Sequence, residues 1–174
     1  MIILGLDMSS KSSAFSIFDG IELKEYGLWA IPDDITEWRD RILWMGKQLD
    51  DCIKTHKIDK IYCEDVPLIM NNPQTLKILS ALGGVVLGVV SANNMEVEFI
   101  SVSKWRSDLG LFTGNKKDTQ REEMKKSSIE YANKTFGLNL IWKSKSSKKN
   151  QDDISDAICV AYSQIKPRKT FGRK

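Results

Sequence analysis

Four carboxylates, Asp7, Glu64, Asp153 and Asp156, are spread over the chain, yet each falls where a strand ends or a helix begins. Asp7 closes the apolar run Ile2-Ile3-Leu4-Gly5-Leu6, and Glu64 follows Lys60-Ile61-Tyr62-Cys63. Asp153 and Asp156 lie three residues apart, so a helix there would put both on one face, roughly 5–6 Å apart at Cβ. Acids gathered at one point repel and raise one another's pKa, a conflict that bound divalent cations remove. Hard cations favour carboxylate oxygen, and a pair of them can drive an in-line phosphoryl displacement by activating water and stabilising the leaving oxygen. The pattern therefore predicts a two-metal phosphodiesterase site with magnesium, or manganese in its place, as cofactor.

The alternatives among nucleophiles and metals are poorly supplied. His56, the only histidine, sits in Lys54-Thr55-His56-Lys57 and reads as surface. Ser9, Ser10, Ser12 and Ser13 have no accompanying base and read as a tight turn between strands. The three cysteines, Cys52, Cys63 and Cys159, lack zinc or disulfide spacing, which predicts a reducing, cytoplasmic setting. Asp7 and either Asp152 or Asp153 also have structural roles open to them, as a strand end or a helix cap. Glu64 and Asp156 have fewer, since each borders an apolar stripe.

The elements that must position these acids follow from periodicity. The chain opens as a three-strand meander over 2–7, 14–18 and 21–29, with Asp19-Gly20 as its hairpin turn. Trp38, Ile42, Met45, Leu49 and Cys52 or Ile53 mark a long amphipathic helix ending near Thr55. Residues 58–64 read as a fourth strand, paired in parallel with the first because a helix connects them. Asn71-Asn72-Pro73 starts a helix over 75–92 that is apolar nearly all round. A fifth strand is expected at 97–102, a short helix capped by Ser103, and a helix opened by the capping box Thr119-Gln120-Arg121-Glu122 and ending near Phe136. Ile154, Ala157 or Ile158, Ala161 and Ile165 form the last helical stripe. The result is an α/β chain: a mixed five-stranded sheet, antiparallel meander plus parallel strands, with helices on both faces. Residues 1–166 are expected to form one domain and 167–174 a basic, disordered tail.

Charge is divided along the chain. Residues 1–100 hold 9 Lys and Arg against 15 Asp and Glu, and residues 101–174 hold 17 against 8. The basic half includes Lys104, the loop with Lys116 and Lys117, and the polar run Lys143, Lys145, Lys148, Lys149, which reads as mobile. Such asymmetry suggests a polyanionic partner, and nucleic acid is the usual one. The longest unbroken apolar run, Ala81 to Val90, is too short to span a bilayer, so no membrane partner is expected. Ser80, Gly84 and Gly88 recur every fourth residue, a stripe suited to close approach either by a sheet or by a second copy of the helix.

The ordered set Asp7, Glu64-Asp65-Val66, the helix over 75–92 and Asp153-Ile154-Ser155-Asp156-Ala157 resembles the RuvC-type Holliday junction resolvases of the ribonuclease H-like superfamily, over most of the chain. The resemblance implies a magnesium-dependent, homodimeric endonuclease that nicks opposing strands of a four-way DNA junction, with two ions per active site held by Asp7, Glu64, Asp153 and Asp156. It implies DNA contacts for Lys104 and Lys117, and a dimer contact for the helix bearing Ser80, Gly84 and Gly88. It selects Asp153 over Asp152 as the ligand. Two departures stand out: Pro67 and Leu68 replace the family's aromatic wedge, and a lysine-rich insertion precedes Asp153. Together with the small size they suggest a phage or divergent member. They also keep open a nuclease of the same fold acting on flap, branched or RNA–DNA hybrid substrates, and a non-catalytic junction-binding protein. A sugar-kinase-like ATPase would need two such domains.

Overall fold

The computed structural model describes residues 1–66, 72–112 and 120–167. Five strands form one sheet: β1 (Ile2–Asp7), β2 (Ser12–Asp19), β3 (Glu22–Ala30), β4 (Lys60–Glu64) and β5 (Val97–Ile100), in the order β3-β2-β1-β4-β5. The first three pair antiparallel, while β1–β4 and β4–β5 are parallel. The expected mixed sheet is thus observed, and β1 and β4 are its central neighbours. Among the described residues five helices complete it: α1 (Trp38–His56), α2 (Pro73–Ala92), α3 (Val102–Asp108), α4 (Arg121–Phe136) and α5 (Asp152–Ile165).

Successive side chains on a strand point to opposite faces, and β1 uses both. Leu4 and Leu6 pack with Ile61 and Cys63 of β4 against α1 and α2. Ile3 packs with Ala14 and Phe18 against α4 and α5 on the other side. Asp7 shares the side of Ile3 and Gly5, and Glu64 that of Tyr62, so both acids belong to the face that α5 covers. Ser13 closes the turn after Asp7 through Ser9, its hydroxyl 3.2 Å from both the carbonyl oxygen and the N–H of Ser9, the tight turn expected of these serines.

Several boundaries differ from expectation. β5 ends at Ile100 because Ser101, not Ser103, caps α3: its hydroxyl accepts from the Lys104 N–H. Gln120 occupies the cap position of α4 without a side-chain hydrogen bond, and Thr119 lies outside the described residues. Gln151 precedes α5, so neither Asp152 nor Asp153 caps it; both stand in its first turn. The run 141–151 is held rather than slack, its ends joined by Gln151 N–H to Ile141 O at 3.1 Å and Asn150 Nδ2 to Ser144 O at 2.8 Å. His56 ends α1, 3.8 Å from Glu25.

Asn72 caps α2 by accepting from the N–H groups of Gln74 and Thr75. At 20 residues and a hydropathy of 1.8, α2 is long and apolar enough to cross a membrane, although its longest unbroken apolar run is not. Only one stripe of it, Leu82, Val86 and Val90, is buried in the domain. Ser80, Gly84, Leu87 and Gly88 are exposed, and among the described residues nothing beyond the adjoining backbone of the helix itself stands within 4 Å of where a Cβ on Gly84 or Gly88 would lie. The small-residue stripe therefore does not serve packing on the sheet.

Candidate active site

The acids are brought together by two decisions of the backbone. Parallel register sets Leu6 beside Cys63, so Asp7 and Glu64 leave the sheet on adjacent strands at the same level. Helix α5 then lies directly on β1 because residue 5 has no side chain. A Cβ on Gly5 would lie 2.5 Å from Ser16 Oγ and 2.7 Å from Ala161 Cβ, and closer still to the Ala157 carbonyl oxygen. Ser16 uses the close approach, its buried hydroxyl donating to Ala157 O at 2.9 Å. This contact fixes the first turn of α5, and with it Asp153 and Asp156, over the ends of β1 and β4.

The electrostatics report the same gathering. Burial pushes the Asp7 carboxyl well above its ordinary range, and repulsion from Glu64, Asp156 and Asp153 adds to it, against the opposing charge of Lys125. Burial also raises Glu64 to about 7, opposed by a hydrogen bond from Trp105 and the charge of Arg106. Asp156 is likewise raised to about 7 by burial and by Glu64, with Ser128, Arg106 and Lys125 pulling the other way. These carboxyls are only partly open to solvent and compete for the few cations near them.

Asp152 and Asp153 separate cleanly. Asp152 is 5% exposed and ion-paired with Lys125 of α4. Asp153 is the more open of the two, lies 3.8 Å from Lys125 and is one of the groups that repel Asp7 and Glu64. Asp153 thus joins the cluster, and Asp152 serves to anchor Lys125 beside it.

Five further residues belong to this site, and the sequence assigned none of them a role in it, Lys125 standing out only as one of the basic residues and Gly5 as part of an apolar run. Trp105, fully buried, donates its indole N–H to Glu64 Oε2 at 3.0 Å. Arg106, also buried, reaches Met124 O at 2.6 Å, tying α3 to α4 beneath the acids. Lys125, Ser128 and Gly5 complete the set. The one signal available was Trp105-Arg106 in the middle of a short helix that follows a strand directly, a place where a large aromatic and a guanidinium fold inward together.

The predicted basic residues fall in three groups. Lys104 is on α3 beside Trp105, with its Nζ 2.7 Å from Asp108. Lys143, Lys145, Lys148 and Lys149 are exposed on the 141–151 loop. Lys116 and Lys117, like Pro67 and Leu68, lie outside the described residues.

The donor set suits a hard divalent cation. It is all carboxylate oxygen, its members are held in mutual repulsion, and Asp156 Oδ1 is buried with no hydrogen-bond partner among the described residues. Among those residues no three His, Cys, Asp or Glu side chains already form a group that could hold an ion.

No family model matches the chain. The crossover junction endodeoxyribonuclease RuvC of Brachyspira hyodysenteriae is 24% identical over 181 residues, spanning 98% of each protein. Among solved structures, Thermus thermophilus RuvC in complex with a Holliday junction substrate superposes with a TM-score of 0.70 at 10% identity, covering 94% of this chain and 92% of that one. The Fowlpox virus resolvase in complex with Holliday junction DNA gives 0.61 at 17%, covering 95% and 97%. The yeast mitochondrial Holliday junction resolvase gives 0.59 at 13%, covering 94% and 77%. The chain has the ribonuclease H-like fold of the RuvC-type resolvases, and its resemblance to them runs through nearly its whole length in both sequence and structure.

Proposed function

We propose that the protein is a metal-dependent endonuclease that resolves four-way DNA junctions by paired nicks, and that it acts as a homodimer in the cytoplasm. The observation that carries this reading is the convergence of Asp7, Glu64, Asp153 and Asp156, whose shared burial and repulsion raise the first two and Asp156 together. The sequence and fold similarity to junction resolvases supplies the substrate class.

In this reading the four carboxylates hold two Mg2+ ions, which supply an activated water and charge stabilisation for the leaving oxygen. The chain's own contribution is positional. Trp105 fixes one oxygen of Glu64, leaving the other to face the cluster. Lys125 balances part of the acid charge while held by Asp152. The α5 helix is seated by Gly5 and Ser16, so its two acids share one rigid frame with the strand ends. Lys104, Lys116, Lys117 and the lysines of the 141–151 loop are assigned to the DNA backbone.

Dimerisation would use the open stripe of α2. Two sites related by a two-fold axis suit a junction of near two-fold symmetry, and an exposed apolar helix face with Gly84, Leu87 and Gly88 is otherwise unaccounted for.

The test is a substrate panel. Wild type and Asp7→Asn are incubated with Mg2+ and four-way junction, flap, duplex and RNA–DNA hybrid. Paired nicks in the junction by wild type alone are expected. Cutting of flap or hybrid but not junction would reassign the substrate, and junction binding without any cutting would make the protein a binding module.

A further inference from the structure

The loop before α5 makes a built surface. Lys143 N–H donates to Asn150 Oδ1 at 2.9 Å, and Ile141 N–H to Gln151 Oε1 at 3.0 Å, in addition to the closures at Ile141 O and Ser144 O. Between this loop and the first turn of α4 lies a cavity of about 410 Å3, lined by Arg121, Lys125, Trp142, Lys145, Lys148 and Asp153 among others.

Its charge is poorly spent within the protein. Lys125 is committed to Asp152, and Glu122, another wall residue, faces Lys126 at 3.0 Å. Arg121, Lys145 and Lys148 make no ion pair among the described residues. Two features of the wall add to these cations. Gln120 itself offers no side-chain cap to the first N–H groups of the 16-residue α4, where an anion is favoured. The Trp142 indole N–H is buried without a hydrogen-bond partner among the described residues. Asp153 is a wall residue of this cavity and a member of the carboxylate cluster, so the two sites adjoin.

We propose that this cavity binds a backbone phosphate of the nucleic-acid strand that is cut at the neighbouring carboxylates, through Arg121, Lys145 and Lys148. The proposal rests on the nuclease reading for the words "that is cut", while the phosphate site itself can be tested by binding alone. The cavity would then set which phosphodiester stands at the acids, because one strand cannot satisfy both sites in two registers.

The experiment uses the full chain with EDTA and a fluorescent four-way junction, with the dissociation constant measured across a salt series. A triple variant, Arg121→Gln, Lys145→Gln and Lys148→Gln, is compared with Lys47→Gln, Lys54→Gln and Lys57→Gln, made along α1 and just past its end, on the opposite face of the sheet. Each lost phosphate contact lowers the slope of log affinity on log salt by about 0.9. The cavity variant is expected to lose about that much and the control variant nothing.

A scan with single uncharged methylphosphonates along each strand gives the second readout. Wild type should lose affinity at one position beside the cut that the cavity variant no longer senses. Equal slope loss in both variants, or an undiminished penalty at that position in the cavity variant, overturns the site. A wild type that cuts nothing while the cavity variant shows both effects refutes the nuclease reading and leaves the phosphate site standing.

Discussion

Gly5→Ala tests how the site is assembled, because a single methyl group is asked to move a helix. The new Cβ would stand 2.5 Å from Ser16 Oγ and 2.7 Å from Ala161 Cβ, and would press on the Ala157 carbonyl. Two of these three neighbours belong to α5, one of them backbone, so the strain is not relieved by turning a flexible side chain. Overpacking of this kind costs about 1–3 kcal/mol. Displacing Ala157 also breaks the buried Ser16 hydrogen bond of 2.9 Å, worth about 1 kcal/mol. A total of about 3 kcal/mol lowers the melting temperature of a chain this size by roughly 10 °C. The more specific consequence is functional: Asp153 and Asp156 shift with α5, while the exposed basic residues keep their places. Gly5→Ala should therefore bind the junction within about threefold of wild type, since phosphate contacts dominate that affinity, and cut it at least tenfold more slowly, since about 1.4 kcal/mol in the barrier suffices. Thermal melting, anisotropy and single-turnover cutting at a temperature where both proteins are folded make the comparison. A variant that melts and cuts like wild type would refute the claim that close packing of α5 on β1 aligns the acids.

Three further outcomes follow from the same geometry. Trp105→Phe removes the N–H that holds Glu64; a hydrogen bond to a charged group contributes about 1.5–3 kcal/mol, so loss of about 2 kcal/mol by denaturant unfolding and a fall in cutting of more than tenfold are expected, and full activity would show that Glu64 needs no such partner. Without metal, Glu64 and Asp156 are raised to about 7 in the folded protein from near 4 when unfolded. The folded state then holds more protons across that window, so stability falls as pH rises from about 4 to about 7. Melting in EDTA should drop over that range and Mg2+ should restore it most at the upper end; a melting temperature that climbs with pH in EDTA would contradict the clustering. Asp152→Asn breaks the Lys125 pair and should cost about 2 kcal/mol with cutting largely kept, discounted from the 3–5 kcal/mol of a fully buried pair. Asp153→Asn should do the reverse, and equal effects in the two assays would show that the two acids share one role.

Much of this was legible because the decisive signals are periodic. The strand order follows from a hairpin turn, a long amphipathic helix and two short apolar strands, and Asp7 and Glu64 fall on one sheet face through the period of two. What stayed hidden depends on side-chain reach and close contact. Gly5 reads as an ordinary small residue in an apolar run, since nothing in β1 announces that Ala157 will arrive from 152 residues away. Ser101 took the cap that Ser103 was expected to fill because β5 stops two residues early. The loop 141–151 is polar enough to look slack, yet its Asn150 and Gln151 amides close it in a way that composition does not encode.

The difference between Asp152 and Asp153 shows what charge adds to spacing. Helical geometry permits either acid to share a face with Asp156, at three residues or at four. Lys125, a turn into α4, discriminates by pairing with the buried Asp152 and leaving Asp153 more open to solvent. Among the described residues the five carboxylates, when ionised, face two buried or half-buried cations, Arg106 and Lys125, leaving three negative charges. Two divalent ions and the single charge of one phosphodiester would cancel them. On the proposed reading, the chain alone relieves this excess by keeping protons on its raised carboxyls, and the metal-loaded, deprotonated site without DNA is left over-compensated by one charge. Substrate binding at the acids is then strengthened once the metals are in place, and a chelator should weaken junction binding as well as abolish cutting. Junction affinity that is the same in EDTA and in Ca2+, a hard divalent ion that permits binding to be measured apart from cutting, would show that the charge balance does not govern the order of assembly.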